Sequence, residues 1–218
     1  MPFHAVIFDL DGTLLDTLAD LANSANRVLA RENLPEHPLD AYRYFVGDGL
    51  QTLITRIIPA EKRDPETVKM LCDRFREDYS RNWQGESRPY DGIPELLDEL
   101  TRKGISLNVL SNKPHEFTVH CVDTFFKPWH FDTVFGDRQQ VPRKPDPAGA
   151  LEIAEKLGLA PEKILYLGDT STDMQTAVRA GMYPVGALWG FRTARELEQS
   201  GALTLAAHPM EVAAKIRV

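Results

Sequence analysis

"VIFDLDGTLLDT", residues Val6 to Thr17, carries an apolar run into Asp9, then Asp11, then a glycine. A buried strand that ends this way delivers two carboxylates, two positions apart, to its carboxyl end. Four further short apolar runs end in small or acidic residues: ISLNVLSN at 105–112, FDTVFGD at 131–137, ILYLGDT at 164–170 and PVGALWG at 184–190. Runs of this length bounded by turn formers read as buried strands. Between most of them lie patterns of helical period, such as IPELLDELTRKG from Ile93 to Gly104, with Pro94 near its start and Gly104 past its end. Strands alternating with helices imply an α/β fold in which a parallel sheet is covered on both faces. The interval from Asp16 to Gly85 differs, holding helical patterns (LADLANSANRVLARE, LQTLITRII, PETVKMLCDRFREDY) and no convincing strand. Residues 16–85 are therefore expected to form an all-helical insertion between core segments 1–15 and 86–218, with the turn formers of NWQGESRPYDG closing it.

The 218 residues, 43% of them hydrophobic, suffice for a substantial buried core. A net charge of -7 offers no basic footprint for a nucleic-acid backbone or an anionic lipid surface, so neither is expected as a partner. Any anionic ligand must be held by local features. No basic leader precedes a long apolar region, and no apolar run approaches the roughly 20 residues of a membrane span, so a cytoplasmic protein is expected. Cys72 and Cys121 lie far apart and form no CxxC pair, which speaks against a disulfide framework, a zinc site or a redox motif.

Open parallel sheets bind ligands at the carboxyl ends of their strands. There the first run ends in Asp9 and Asp11, the second in Ser111 and Asn112, and the fourth in Asp169, with Asp173 four residues on in the first turn of a helix. Lys144 sits in VPRKPDP, flanked by prolines that stiffen the backbone. Each piece has an ordinary structural explanation. A lone DxDG can be a strand-to-turn ending, Ser-Asn and the GDTSTD segment can cap helices, and RKPDP can be a solvated loop. Their arrival at one edge of one sheet, in the order acid pair, hydroxyl, lysine, acid pair, points instead to phosphoryl transfer to a carboxylate. A phosphate monoester repels an anionic nucleophile, so a cation must hold the two together while fixed donors take the other oxygens. Mg2+ prefers oxygen and few carboxylates, which Asp9 and Asp169 can supply, while Lys144 and Ser111 can hold phosphate oxygens. Asp11 is then free to carry protons for the leaving oxygen.

These motifs resemble, in order, the four of the haloacid dehalogenase superfamily of phosphatases: DLDGT at Asp9–Thr13, LSN at Leu110–Asn112, RKP at Arg143–Pro145 and GDTSTD at Gly168–Asp173. The resemblance implies a Rossmann-like parallel-sheet core with a helical cap inserted after the first motif. It makes Asp9 the nucleophile and a metal ligand, and Asp11 the general acid/base that also gives its backbone carbonyl to Mg2+. Ser111 and Lys144 match phosphate-binding positions, Asp169 a metal ligand, and Asp173 a supporting acid that orients a metal-bound water or the lysine; Asn112 and Thr13 match supporting positions. Within the superfamily the chain is most similar to phosphoglycolate phosphatases, whose substrate-specificity loop is resembled by Gly47, Asp48, Gly49 and Leu50. That implies a small phosphorylated metabolite as substrate and a monomer or homodimer.

The same cap type also serves pyrophosphatases and phosphatases of sugar or nucleotide monophosphates. Asp11 speaks against dehalogenation, which needs no proton for the leaving group, and against phosphonoacetaldehyde hydrolysis, for which Lys62 or Lys69 would have to form a Schiff base. A hexose-phosphate mutase would keep every core motif. A non-catalytic module would have lost a nucleophile, lysine or metal acid, and none is missing. Trp189 and Phe191 are expected to pack beneath the active edge, and His115 and Arg192 lie close to the motifs without an assigned role.

Overall fold

The apolar run before Asp9 forms β1 (Ala5–Phe8), with all four residues buried. In the computed structural model, which describes residues 2–216, the chain continues through β2 (Leu15–Asp16), α1 (Leu18–Arg31), α2 (Tyr42–Phe45), α3 (Leu50–Ile57), α4 (Pro65–Asn82) and β3 (Arg88–Pro89). Then follow α5 (Ile93–Arg102), β4 (Ser106–Pro114), α6 (His115–Phe125), β5 (Thr133–Asp137), α7 (Ala148–Leu157) and β6 (Ile164–Gly168). The last elements are α8 (Ser171–Ala180), β7 (Tyr183–Ala187), α9 (Ala194–Gln199), β8 (Thr204–Ala206) and α10 (Pro209–Lys215).

Six strands form one parallel sheet in the order β5-β4-β1-β6-β7-β8. Strand alternation divides the core between two faces. Val6 and Phe8 join Leu107, Val109 and the α5 leucines on one side, whereas Ala5 and Ile7 join Tyr166, Ile153 and Ala177 on the other. All five strands expected from the sequence are present. The sixth, β8, is a correction to that reading: it has three residues, pairs only with β7, and follows the exposed Leu203, so it lacks the apolar run that marks a central strand.

Helices α1 to α4 fill the interval between β2 and β3, and among the described residues no strand lies between Asp16 and Arg88. Leu21, Ala25, Leu53, Ile54, Leu71, Phe75 and Tyr79 bury against one another there, joined by Phe117 and Phe191 from the sheet side. The two chain crossings are held together twice. β2 and β3 pair antiparallel, Leu15 with Pro89 and Asp16 with Arg88. Asp20, buried in the first turn of α1, accepts from Ser87 N at 2.8 Å, Ser87 Oγ at 2.6 Å and Glu86 N at 3.0 Å. No described helix is long and apolar enough to cross a membrane.

Asp20→Ala strands those donors at the crossing, and unmet buried donors of this kind cost about 2–4 kcal/mol together. Guanidinium unfolding monitored by circular dichroism should show a lowered midpoint with an unchanged slope.

Candidate active site

Counted along the sheet, the strand order reverses between β1 and β6, which opens a crevice at their carboxyl ends. Asp9 leaves β1 and Asp169 leaves β6 on either side of it. Asp173 stands in the first turn of α8, where a capping box fixes it: Thr170 Oγ1 donates to Asp173 Oδ2 at 2.7 Å and Thr170 N donates to the same oxygen at 3.0 Å. The three carboxylates are buried and offer oxygens within 4.8 Å of one another. Lys144 enters from the loop before α7, its Nζ 2.9 Å from Asp9 Oδ1 and 2.7 Å from Asp173 Oδ1. Asn112 acts as its splint, accepting from Lys144 N at 2.9 Å and donating to Lys144 O at 3.0 Å. Asp169 is aimed by Thr13 Oγ1 at 2.8 Å and by Phe191 N at 2.9 Å. Gly12 is required beside it: its φ is +87°, and a Cβ there would collide with the Asp169 carboxylate.

Three carboxylates against one ammonium leave two negative charges out of water, and the ionisation equilibria register it. Burial first, and then the charge of Asp173, push the Asp9 carboxyl up to about 7 despite the contact with Lys144. Burial, with Asp173 and Asp9, likewise holds Asp169 well above the usual carboxylate range. Burial opposes the charge of Lys144, but Asp173 and Asp9 outweigh it and keep the ammonium protonated. A buried all-oxygen donor set short of two positive charges fits a divalent, oxygen-preferring cation.

Asp11 belongs to a second group. Its Oδ1 accepts from Lys113 Nζ at 3.0 Å and from Thr17 Oγ1 at 2.7 Å, a hydroxyl that would otherwise cap α1. Lys113 Nζ also donates to Tyr79 Oη of α4 at 2.8 Å and lies 4.7 Å from the ring centroid. Lys113, Tyr79 and Thr17 were not singled out in the sequence. Lys113 lies in the SNKP run at Ser111–Pro114, and in a regular strand it would share a face with Ser111 while Asn112 pointed to the other. β4 escapes alternation through a bulge: four residues from Leu110 to Pro114 pass while β5 advances two, from Phe135 to Asp137. Ser111, Asn112 and Lys113 consequently line one cavity together with Asp9 and Asp11.

The insertion closes this cavity with the loop before α3. Gly47 O accepts from Asn112 Nδ2 at 3.1 Å, and Asp48 accepts from Thr172 Oγ1 at 2.7 Å and from Arg56 at 2.5 Å. Gly49 stands at the start of α3 with φ +89°, its backbone close to Arg143. Leu21, Leu53, Phe75 and Phe117 form an apolar wall opposite the carboxylates. Trp189 Nε1 donates to Thr13 O at 2.9 Å, as befits a residue beneath the edge, whereas Phe191 serves the site through its backbone amide. Arg192 donates to Val46 O at 3.2 Å, and His115 accepts from Gly136 N outside the cavity.

Residues 6–187 match the model of the haloacid dehalogenase-like hydrolases. The phosphoglycolate phosphatase of Aquifex aeolicus is 34% identical over 188 residues, 86% of each chain, and that of Haemophilus influenzae strain 86-028NP is 34% identical over 195 residues, 87% of each. A crystal structure from Lactobacillus delbrueckii subsp. bulgaricus superposes with a TM-score of 0.93 at 30% identity over 99% of both chains.

A carboxyl raised on folding contributes stability below its ordinary pKa and loses it as pH rises through the folded value, here about 7 for Asp9. The metal-free protein should therefore melt at falling temperature between about pH 4 and about pH 7, and MgCl2 should raise the melting temperature more at the upper end than at the lower. Scanning calorimetry with EDTA or MgCl2 tests this; a metal effect independent of pH would remove these acids as its origin.

Proposed function

The chain belongs to the haloacid dehalogenase-like hydrolases, and we propose that within them it is a Mg2+-dependent phosphatase that cleaves a small monoester, 2-phosphoglycolate, through an aspartyl-phosphate on Asp9. The observation that carries this reading is the buried group of three carboxylates around one lysine, two charges short of neutral. Asp9, Asp169 and the backbone carbonyl of Asp11 would hold Mg2+, which would supply the charge that lets an anionic nucleophile approach a phosphate dianion.

Asp9 attacks phosphorus with the carboxylate oxygen left free by Lys144. Lys144 and Ser111 hold phosphate oxygens, Asn112 braces Lys144 with a side-chain amide already committed to Gly47 O and Lys144 O, and Asp173 orients Lys144 rather than the substrate, since its own oxygens are taken by Lys144 and Thr170. Asp11 protonates the departing alkoxide and then, as its conjugate base, takes a proton from the water that cleaves the aspartyl-phosphate. The Gly47–Gly49 loop, bonded across to Asn112 and Thr172, acts as the substrate-specificity loop and the helical insertion as a cap that keeps bulk water from the intermediate.

The cavity supports a small leaving group. It holds about 50 Å³ and is walled largely by apolar side chains, with no second cluster of cations among the described residues for the other phosphate of a mutase intermediate or for a pyrophosphate. The similarity to named phosphoglycolate phosphatases favours the same substrate.

Phosphate release from 2-phosphoglycolate, pyrophosphate, sugar phosphates and nucleoside monophosphates tests this. Turnover should be selective for 2-phosphoglycolate, vanish with EDTA, return with MgCl2, and be absent in Asp9→Asn. Asp11→Asn should keep Mg2+ affinity while kcat falls about 10^2- to 10^4-fold. Activity centred elsewhere on the panel would retain the mechanism and discard the substrate.

A further inference from the structure

The chemistry of the sheet edge leaves one buried charged group of the cavity without an assigned task. Among the described residues, Lys113 is the only cation lining the cavity. The other basic residues nearby are committed elsewhere: Lys144 to Asp9 and Asp173, Arg56 to Asp48 and the carbonyls of Tyr44 and Phe45, Arg192 to Val46 O and Glu196. Lys113 lies on the Asp11 side, where the leaving group of a substrate held at Asp9 has to sit. Beside it, the Tyr79 hydroxyl accepts the Lys113 hydrogen bond, and its own proton meets no acceptor among the described residues although the side chain is buried. An unspent donor and an ammonium, side by side in an otherwise apolar wall, match an anionic group with two acceptor oxygens.

We propose that Lys113 and Tyr79 form the subsite that recognises a carboxylate on the substrate's leaving group, an inference that rests on the phosphoglycolate reading above and names the residues that would impose it. Two further observations support it. Burial holds the Tyr79 phenol well above its ordinary range, so it remains a donor. The ring is also rigidly placed: it stacks on Phe75 at 5.4 Å and meets Phe117 edge-on at 5.2 Å, which fixes the hydroxyl with little loss of rotamer freedom on binding. Because Tyr79 comes from α4 and Lys113 from β4, the subsite is complete only when the insertion sits over the sheet edge as it does here. A carboxylate-bearing monoester would thus favour this closed arrangement, and one without it would not.

The test compares 2-phosphoglycolate with ethyl phosphate, which keeps the carbon count and lacks the carboxylate. Wild type should favour 2-phosphoglycolate in kcat/KM, and that ratio should fall about tenfold in Tyr79→Phe and about a hundredfold in Lys113→Gln, mainly through KM, as expected for loss of charge-assisted hydrogen bonds. Tyr79→Phe keeps the aromatic packing and so serves where Lys113→Gln fails to fold. Should both substrates lose kcat in step with an unchanged ratio, Lys113 acts only by positioning Asp11 and the subsite is overturned. Binding separates this from the phosphatase reading: calorimetric titration of Asp9→Asn with MgCl2 should give tighter binding of 2-phosphoglycolate than of ethyl phosphate, and Tyr79→Phe on that background should narrow the difference about tenfold. Equal binding overturns the subsite whatever the turnover; selective binding with no wild-type turnover keeps the subsite and removes the phosphatase assignment.

Discussion

The Lys144 ammonium, wedged between Asp9 and Asp173, is the contact on which the rest of the site depends. An unpaired buried charge is among the costliest features a fold can carry, so each partner must be held by something other than its attraction to the others. Asn112 grips both the amide and the carbonyl of Lys144, Thr170 twice ties down Asp173, and the turn after β1 fixes Asp9 through Leu10 N. Even so the group is one lysine against three acids. The raised carboxyls of Asp9 and Asp169 are the protein's response when protons are the only positive charges available.

Topology explains why these residues meet. β1 lies between β4 and β6, so Asp9 is flanked by the ends of two neighbouring strands, and the reversal of strand order leaves the crevice unbridged by any crossover. A regular strand would bring only alternate side chains to that crevice. The β4 bulge brings three in succession, which is how a hydroxyl, a splinting amide and a second lysine reach one cavity from a single element.

The sheet and the edge at which its polar strand ends gather were legible in the sequence because their signals are local. A buried strand written as consecutive apolar residues and ended by Asp, Ser or Gly announces both itself and the position of its polar end, and the strand-free interval before Gly85 announced the helical insertion. β8 was missed because an edge strand of three residues has no such run. Tyr79 was missed for a different reason. On α4 it falls on the apolar stripe with Val68, Leu71 and Phe75, where an aromatic reads as packing, and the hydroxyl that matters meets a residue 34 positions away. Asn112 was read as a phosphate contact, and its side chain is found holding Lys144, a role that only the partner's position discloses.

The four carboxylates at this mouth are divided so that their charges do not accumulate at one point. Without Lys113, Asp11 would add a fourth negative charge beside Asp9, Asp169 and Asp173; with it, Asp11 forms a separate and balanced pair, bonded by Thr17 on one side and facing the apolar wall on the other. The division also follows the architecture. Among the described residues every hydrogen bond to Asp9, Asp169 and Asp173 comes from the sheet portion, whereas Lys113 of the second group is bonded by Tyr79 of the insertion. Substitution on the inner face of the insertion therefore alters what surrounds Lys113 and Asp11 while leaving the hydrogen bonds to Asp9 in place. The two buried lysines thus serve two separate sets of carboxylates, Lys144 meeting Asp9 and Asp173 and Lys113 meeting Asp11.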